Sequence, residues 1–118
     1  MDKNRVKVKK FDFAGNDLGW QEQDSPGDNP SLDASDDSYV ITWQENEDIY
    51  ARVFNADDSP RTDTFRVNQT TDGYQGHPSV STYPDGQFII TWEGNGSGDG
   101  DGIYARRYHA DGSPQTSE

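Results

Sequence analysis

The stretch Tyr39-Val40-Ile41-Thr42-Trp43 decides the fold, because it recurs as Phe88-Ile89-Ile90-Thr91-Trp92. β-branched and aromatic residues dominate both stretches, as is typical of β-strands. Apolar residues occupy consecutive positions in each, which indicates strands whose two faces are both covered by other parts of the protein. The recurrence therefore predicts a protein built from repeated β-rich units.

Further blocks recur in the same order around these two strands. The matched pairs are Pro30-Ser31-Leu32 with Pro78-Ser79-Val80, Ile49-Tyr50-Ala51-Arg52 with Ile103-Tyr104-Ala105-Arg106, and Ala56-Asp57-Asp58-Ser59-Pro60 with Ala110-Asp111-Gly112-Ser113-Pro114. A weaker half copy precedes them, in which Val8-Lys9-Lys10-Phe11-Asp12 stands where Ala51-Arg52-Val53-Phe54-Asn55 stands. Four matched blocks in one order establish an internal repeat.

Each full unit offers four short segments of strand composition, separated by turn signals. In the first full unit they cover 30–35, 39–45, 49–55 and 64–69. Asp85-Gly86 and Asp111-Gly112 supply the left-handed conformation of tight turns, and Asp57-Asp58 stands in the place equivalent to the second. We predict a single repeat domain over residues 1–118, made of a half unit (4–29), a full unit (30–77) and a unit lacking its last strand (78–118).

The predicted fold class is all-β, built of four-stranded antiparallel meanders. A unit of 48 residues, the spacing from Pro30 to Pro78, has the size of a β-propeller blade, for which repeats of ~40–50 residues are usual. A β-sandwich of two sheets is the alternative.

Composition limits the classes of function. The 118 residues and 13.2 kDa fit one domain, and although only 29% of the residues are hydrophobic, three Trp, six Tyr and five Phe supply material for a core. A net charge of -12 disfavours nucleic acid as a partner. No apolar run approaches the ~18 residues of a membrane span, so we expect no membrane insertion. There is no cysteine for disulfides or thiolate metal sites.

Several motifs in one order carry a resemblance to a known group of proteins: Asp85-Gly86, Phe88-Ile89-Ile90-Thr91-Trp92, Ile103-Tyr104-Ala105-Arg106-Arg107-Tyr108, Ala110-Asp111-Gly112 and Phe65-Arg66-Val67-Asn68. They resemble repeats of very large bacterial secreted proteins, namely adhesins and calcium-binding, RTX-type surface proteins. The resemblance covers residues 30–118 and, more loosely, 4–29. It implies a propeller-like repeat at the bacterial surface or outside the cell, with any export signal outside this sequence, and an adhesive or structural role.

The candidate ligand-binding residues recur with the repeat: Trp43, Tyr50, Arg52, Trp92, Tyr104 and Arg106. Tyr and Arg two apart on a strand point to the same face. An aromatic face beside a guanidinium group is suited to a sugar, so the set predicts recognition of a glycan or a cell-surface component. The alternative for the tryptophans is core packing. The alternative for the arginines is an ion pair between repeats, with Glu45, Asp48 or Asp99 as the carboxylate.

The two copies differ most in the Gly- and Asp-rich segment 94–102. A mobile loop is the favoured interpretation, since the spacing of an EF-hand is missing. Calcium held by Asp99 and Asp101 is the alternative, although the nonapeptide Gly-Gly-x-Gly-x-Asp of RTX proteins is absent. No other cofactor is predicted.

These observations predict a non-catalytic, lectin- or adhesin-like binding module, with a purely structural spacer as the alternative. A glycosidase-like propeller enzyme is the third and weakest hypothesis, because no catalytic motif accompanies His77 or His109. Incomplete units predict self-association. In that hypothesis the strand around Leu18-Gly19-Trp20 completes the last unit of another copy, and three chains form a six-bladed ring.

Overall fold

The computed structural model describes residues 5–11, 14–71, 73–94 and 102–117, and this part of the chain is all-β. Its strands are β1 (Arg5–Phe11), β2 (Asp17–Pro26), β3 (Asp28–Ala34), β4 (Ser38–Glu45), β5 (Asp48–Asn55), β6 (Phe65–Arg66), β7 (Gln75–Thr82), β8 (Phe88–Gly94) and β9 (Gly102–Tyr108). They form three antiparallel sheets in chain order. Sheet 1 is β1-β2, sheet 2 is β3-β4-β5-β6 and sheet 3 is β7-β8-β9. The predicted all-β class and the four-stranded meander are confirmed.

Tight turns let each strand pair with the one before it. Gly86 and Gly112 have φ of 93° and 88°, the left-handed conformation that the sequence requires of them, and Asp58 adopts φ of 74° in the place equivalent to Gly112. Between β4 and β5 the turn residues Asn46 and Glu47 both have positive φ, as in the hairpin turn that matches the twist of its strands.

The first strand of each unit starts earlier than predicted, because a β-bulge carries it through a proline. Asn29 and His77, which precede Pro30 and Pro78, both have φ of 51°. The pairing register shifts at both places, between Asp28 and Ser31 and between Gly76 and Ser79. A bulge leaves one residue out of the ladder, so the missing proline amide costs no hydrogen bond there.

Each sheet has two faces, which we name by the tryptophans. The front face of sheet 2 carries Trp43, and the front face of sheet 3 carries Trp92; the back faces are opposite. The back of sheet 2 packs on the front of sheet 3, and the buried residues there are Val40, Ile49, Ala51, Val53, Val67, Val80, Phe88, Ile90, Trp92 and Tyr108. A second buried cluster on the front of sheet 2 contains Tyr39, Ile41, Trp43 and Phe54. Both faces of β4 are thus covered, as its sequence predicts.

Two antiparallel sheets packed face to face fit the β-sandwich that we gave as the alternative fold. Among the described strands no pairing closes a ring. The propeller arrangement stays a prediction.

Candidate functional site

Both recurring tryptophans lie in the core. Trp43 is 0% exposed and Trp92 is 2% exposed. The indole nitrogen of Trp92 donates a hydrogen bond of 3.1 Å to Oε1 of the buried Gln75, and that of Trp43 donates one of 3.4 Å to Oε1 of Glu45. A sugar cannot stack on rings that are covered in this way. The structure therefore gives these two residues the core placement that we named as the alternative.

The recurring tyrosines stack beside the indoles. The ring centroids of Trp43 and Tyr50 lie 6.5 Å apart with an interplanar angle of 25°, and those of Trp92 and Tyr104 lie 6.1 Å apart at 20°. Burial, followed by the nearby carboxylate of Asp48, raises the pKa of the Tyr50 hydroxyl. Each half-buried tyrosine is thus an aromatic neighbour of its tryptophan.

The recurring arginines fasten the segment that follows their own strand. Nε of Arg52 donates to the carbonyl oxygen of Thr62 at 2.8 Å, and Nε of Arg106 donates to that of Thr116 at 2.9 Å. In both copies the next backbone amide along the strand donates to the hydroxyl of the same threonine at 3.1 Å. We call each Arg-Thr pair an arginine clasp. It holds the segment after β5 or β9 against that strand.

One clasp also links the two sheets. Nη1 of Arg106 donates to the carbonyl oxygen of Val67, which belongs to the unit before it, at 3.1 Å. The guanidinium carbon lies 5.7 Å from the ring centroid of Tyr108, and that of Arg52 lies 5.5 Å from Phe54, distances at which cation–π attraction operates. These partners are carbonyl oxygens and rings, whereas the sequence led us to expect the carboxylates of Glu45, Asp48 or Asp99.

Four polar residues of this network escaped the sequence analysis: Thr62, Thr116, Asn68 and Gln75. A signal for the threonines was present, since Thr62 and Thr116 are separated by 54 residues, like Arg52 and Arg106. The amide side chains carry no such signal, because each occurs once and its role depends on which backbone group is left without a strand partner.

Asp99 and Asp101, the alternative calcium ligands, lie outside the described residues. Within the described ranges no group of three His, Asp or Glu side chains is arranged to hold a metal ion. The calcium hypothesis stays a prediction.

A shallow, open pocket of about 470 Å³ lies where the turn between β7 and β8 meets β9. Its lining residues are Tyr83, Pro84, Asp85, Gln87 and Arg107. Tyr83 is 47% exposed. The amide and side chain of Gln87 donate to the carboxylate of Asp85, and these hydrogen bonds lower its pKa. The pocket thus presents an aromatic ring, a fixed carboxylate and a guanidinium group to solvent.

No protein-family model and no curated protein matches this chain. In the part of the chain that the structure describes, no helix is long and apolar enough to cross a membrane.

Proposed function

We propose that the chain is a non-catalytic structural repeat module of a bacterial surface or secreted protein, in which stacked β-sheets form a scaffold. One observation carries the proposal: the residues that recur with the repeat are used for internal contacts in both copies. The tryptophans fill the core, and the arginines hold carbonyl oxygens of their own chain. A scaffold needs such residues in every repeat, because each unit buries its faces only against its neighbours.

The location at the cell surface is supported by the resemblance of the repeat motifs to secreted bacterial proteins, and by an acidic surface that favours solubility. The non-catalytic assignment is supported by the sequence, in which no catalytic motif accompanies His77 or His109.

Two neighbouring arginines provide the test. Arg106 faces the front of sheet 3 and donates to Val67 and Thr116, whereas Arg107 is exposed on the back. We expect Arg106→Ala to lower the free energy of unfolding by about 1–3 kcal/mol, the usual cost of leaving partners of a charged hydrogen bond without a donor. Arg107→Ala should change it by less than about 0.5 kcal/mol. Urea unfolding followed by circular dichroism measures both.

The opposite pattern would reject the scaffold proposal. If Arg106→Ala keeps the stability of the parent protein and removes binding on a glycan array, the recurring set binds a ligand instead.

Glycan binding at the open pocket is a second candidate function, favoured by the exposed ring of Tyr83 beside Arg107. Neither residue belongs to the repeat pattern, since Ser35 and Val53 stand at the equivalent places of the first full unit. A pocket that breaks the repeat is a place for recognition that the scaffold does not require. An aromatic face with a nearby cation and carboxylate suits a sugar or an acidic sugar.

A glycan array with the parent chain, Tyr83→Ala and Arg107→Ala tests this candidate. We expect saturable binding that either substitution removes while the unfolding curve stays unchanged. Binding that both variants retain, or a parent chain that binds nothing, rules the pocket out.

A further inference from the structure

The turn that borders the open pocket is one residue longer than its counterpart in the first full unit. The amide of Ser35 donates to the carbonyl oxygen of Ser38, whereas the amide of Tyr83 donates to that of Gln87. Two residues stand between the bonded pair in the first turn and three in the second. The added length lies in the segment 84–86, which contributes two residues to the lining of the pocket.

Arg107 brings a guanidinium group to this pocket. Its counterpart in sheet 2, Val53, is fully buried between sheets 2 and 3, whereas Arg107 is exposed. Within the described part of the chain, the side chain of Arg107 forms no ion pair and no hydrogen bond. Its fork of N–H donors is therefore available to a ligand.

Asp85 presents a carboxylate in a fixed orientation at the same pocket. The backbone amide of Gln87 donates to its Oδ1 at 3.1 Å, and Nε2 of Gln87 donates to its Oδ2 at 2.7 Å. Gln87 is held in turn by Gln115, whose Nε2 donates to Oε1 of Gln87 and to the carbonyl oxygen of Tyr108. Each oxygen of Asp85 keeps a lone pair for a further donor, such as a ligand hydroxyl. A group whose orientation is set before binding loses little entropy when the ligand arrives.

The charges of the pocket favour one class of sugar. Arg107 and Asp85 line the same pocket without forming an ion pair, so it offers a cation and an acceptor separately. A neutral sugar gives the guanidinium group only hydroxyl oxygens. A carboxylate instead forms two parallel, charge-assisted hydrogen bonds with it, each roughly twice as strong as a neutral one.

We propose that the pocket lined by Tyr83, Asp85 and Arg107 binds a carboxylate-bearing sugar of the hexuronic acid class. The carboxylate of the sugar pairs with Arg107, a sugar hydroxyl donates to Asp85, and the apolar face of the sugar ring lies on Tyr83. The proposal rests on glycan binding at this pocket, the second candidate function, and adds the class of glycan. It does not depend on the scaffold function, since all three residues are exposed.

The overall charge of the chain makes an acid preference specific to the pocket. A net charge of -12 repels anions at long range. A chain that prefers an acidic sugar to the neutral form of the same sugar therefore does so through a local cation. Arg107 is the one cation among the described residues that line the pocket.

Calorimetric titration with a short oligogalacturonate and with its methyl ester tests the proposal, because esterification removes the charge and keeps the sugar. We expect the parent chain to bind the acid at least about tenfold more tightly than the ester, as a charged hydrogen bond implies. Arg107→Gln keeps a donor but loses the charge, so it should remove this preference. Arg107→Lys keeps the charge but loses the fork, so it should retain part of the preference.

Arg66→Gln is the matched control, because Arg66 is exposed and lies outside the pocket. It removes the same charge from the chain and should bind both sugars like the parent chain. Polyglutamate carries carboxylates but no sugar ring, so it should bind more weakly than the oligogalacturonate. Circular dichroism melts establish that each variant is folded.

Two kinds of result would overturn the acid preference and leave glycan binding at the pocket intact. One is equal binding of acid and ester that Tyr83→Ala abolishes. The other is a preference for the acid that Arg107→Gln retains or that Arg66→Gln also loses. Polyglutamate that binds as tightly as the oligogalacturonate would show that the sugar is not recognised.

A parent chain that binds neither the acid nor the ester overturns the proposal as well. A glycan array then decides about the pocket itself. Neutral glycans whose binding Tyr83→Ala removes would preserve the candidate function, whereas an array without any binding would reject both.

Discussion

Replacing Asn68 should destabilise sheet 2 more than its single side chain suggests. Strand β6 pairs with β5 through Phe65 and Arg66, and the amide of Val67 still donates to the carbonyl oxygen of Ile49 at 2.7 Å. Beyond Val67 the side chain of Asn68 takes the place of the backbone ladder. Its Oδ1 accepts from the amide of Ile49 at 2.8 Å, and its Nδ2 donates to Oδ1 of Asp48 at 2.9 Å and to the carbonyl oxygen of Thr70 at 2.8 Å. Asn68 is buried, so water cannot replace these bonds without a change in structure.

The size of this destabilisation follows mainly from the amide of Ile49, which loses its acceptor. A buried donor without an acceptor costs about 1–3 kcal/mol, and the two lost donor bonds add about 1 kcal/mol. Asn68→Ala should therefore lower the free energy of unfolding by about 2–4 kcal/mol, or the melting temperature by roughly 10 °C for a chain of this size. Asn68→Asp keeps the acceptor for the amide of Ile49 but loses both donors and places a second carboxylate beside Asp48. We therefore expect it to be no more stable than Asn68→Ala at neutral pH.

Urea denaturation and differential scanning calorimetry measure these changes. Thr71→Ala, at an exposed residue in the same segment, is the control and should change the free energy of unfolding by less than about 0.5 kcal/mol. An Asn68→Ala protein that unfolds like the parent chain would show that the amide of Ile49 does not depend on this side chain.

Two further predictions concern turns. Gly112→Ala should destabilise the fold more than Gly15→Ala: both have φ near +90° (88° and 89°), but a Cβ at Gly112 would lie 2.7 Å from the Thr62 side chain, whereas a Cβ at Gly15 meets no atom within 4 Å. Thermal melts of the two variants measure the difference. Equal losses of melting temperature would show that the contact of a Cβ at Gly112 with the Thr62 side chain does not destabilise the fold. Hydrogen bonds from Ser113 lower the pKa of Asp111, so the stability they give is present above the ordinary value of 3.8 and is lost as pH falls through the lower folded pKa. Asp111→Asn should therefore melt with a smaller pH dependence below pH 3.8 than the parent chain, and identical pH profiles would contradict this.

The central strands could be predicted from the sequence because their determinants are local. Tyr39–Trp43 and Phe88–Trp92 carry apolar residues at consecutive positions. Gly86 in the turn before Phe88 and Gly112 in the turn after β9 adopt the expected left-handed conformation. Periodicity and turn chemistry act within a few residues, so a sequence shows them directly.

The ends of the strands could not be predicted from the sequence, because they depend on interactions that are not local. Pro30 indicated a strand start, yet the bulge at Asn29 extends β3 back to Asp28. The fourth strand was predicted over 64–69, yet β6 covers only two residues, because beyond the amide of Val67 the side chain of Asn68 replaces the backbone pairing. In both cases a polar or conformationally unusual residue takes the place of a regular ladder bond.

The candidate site was harder to predict than the strands, because an exposed binding platform and a buried core use the same types of residue. Trp92 and Tyr104 lie side by side on the front of sheet 3, and Arg106 lies on the same face. Whether their faces are open depends on how sheet 3 packs on sheet 2, which no local pattern in the sequence specifies. The pocket at Tyr83 was missed for the opposite reason, since it departs from the repeat.

The tryptophans give the most direct test of the scaffold. In a Trp20→Phe variant the remaining indoles are Trp43 and Trp92, so fluorescence and its quenching by acrylamide report on the recurring pair alone. Because both are buried, we predict emission shifted to the blue of free tryptophan, poor quenching, and no change when a glycan mixture is added. Emission like that of free tryptophan, with efficient quenching in a protein that still melts cooperatively, would show that the indoles are open to solvent and would contradict the scaffold proposal.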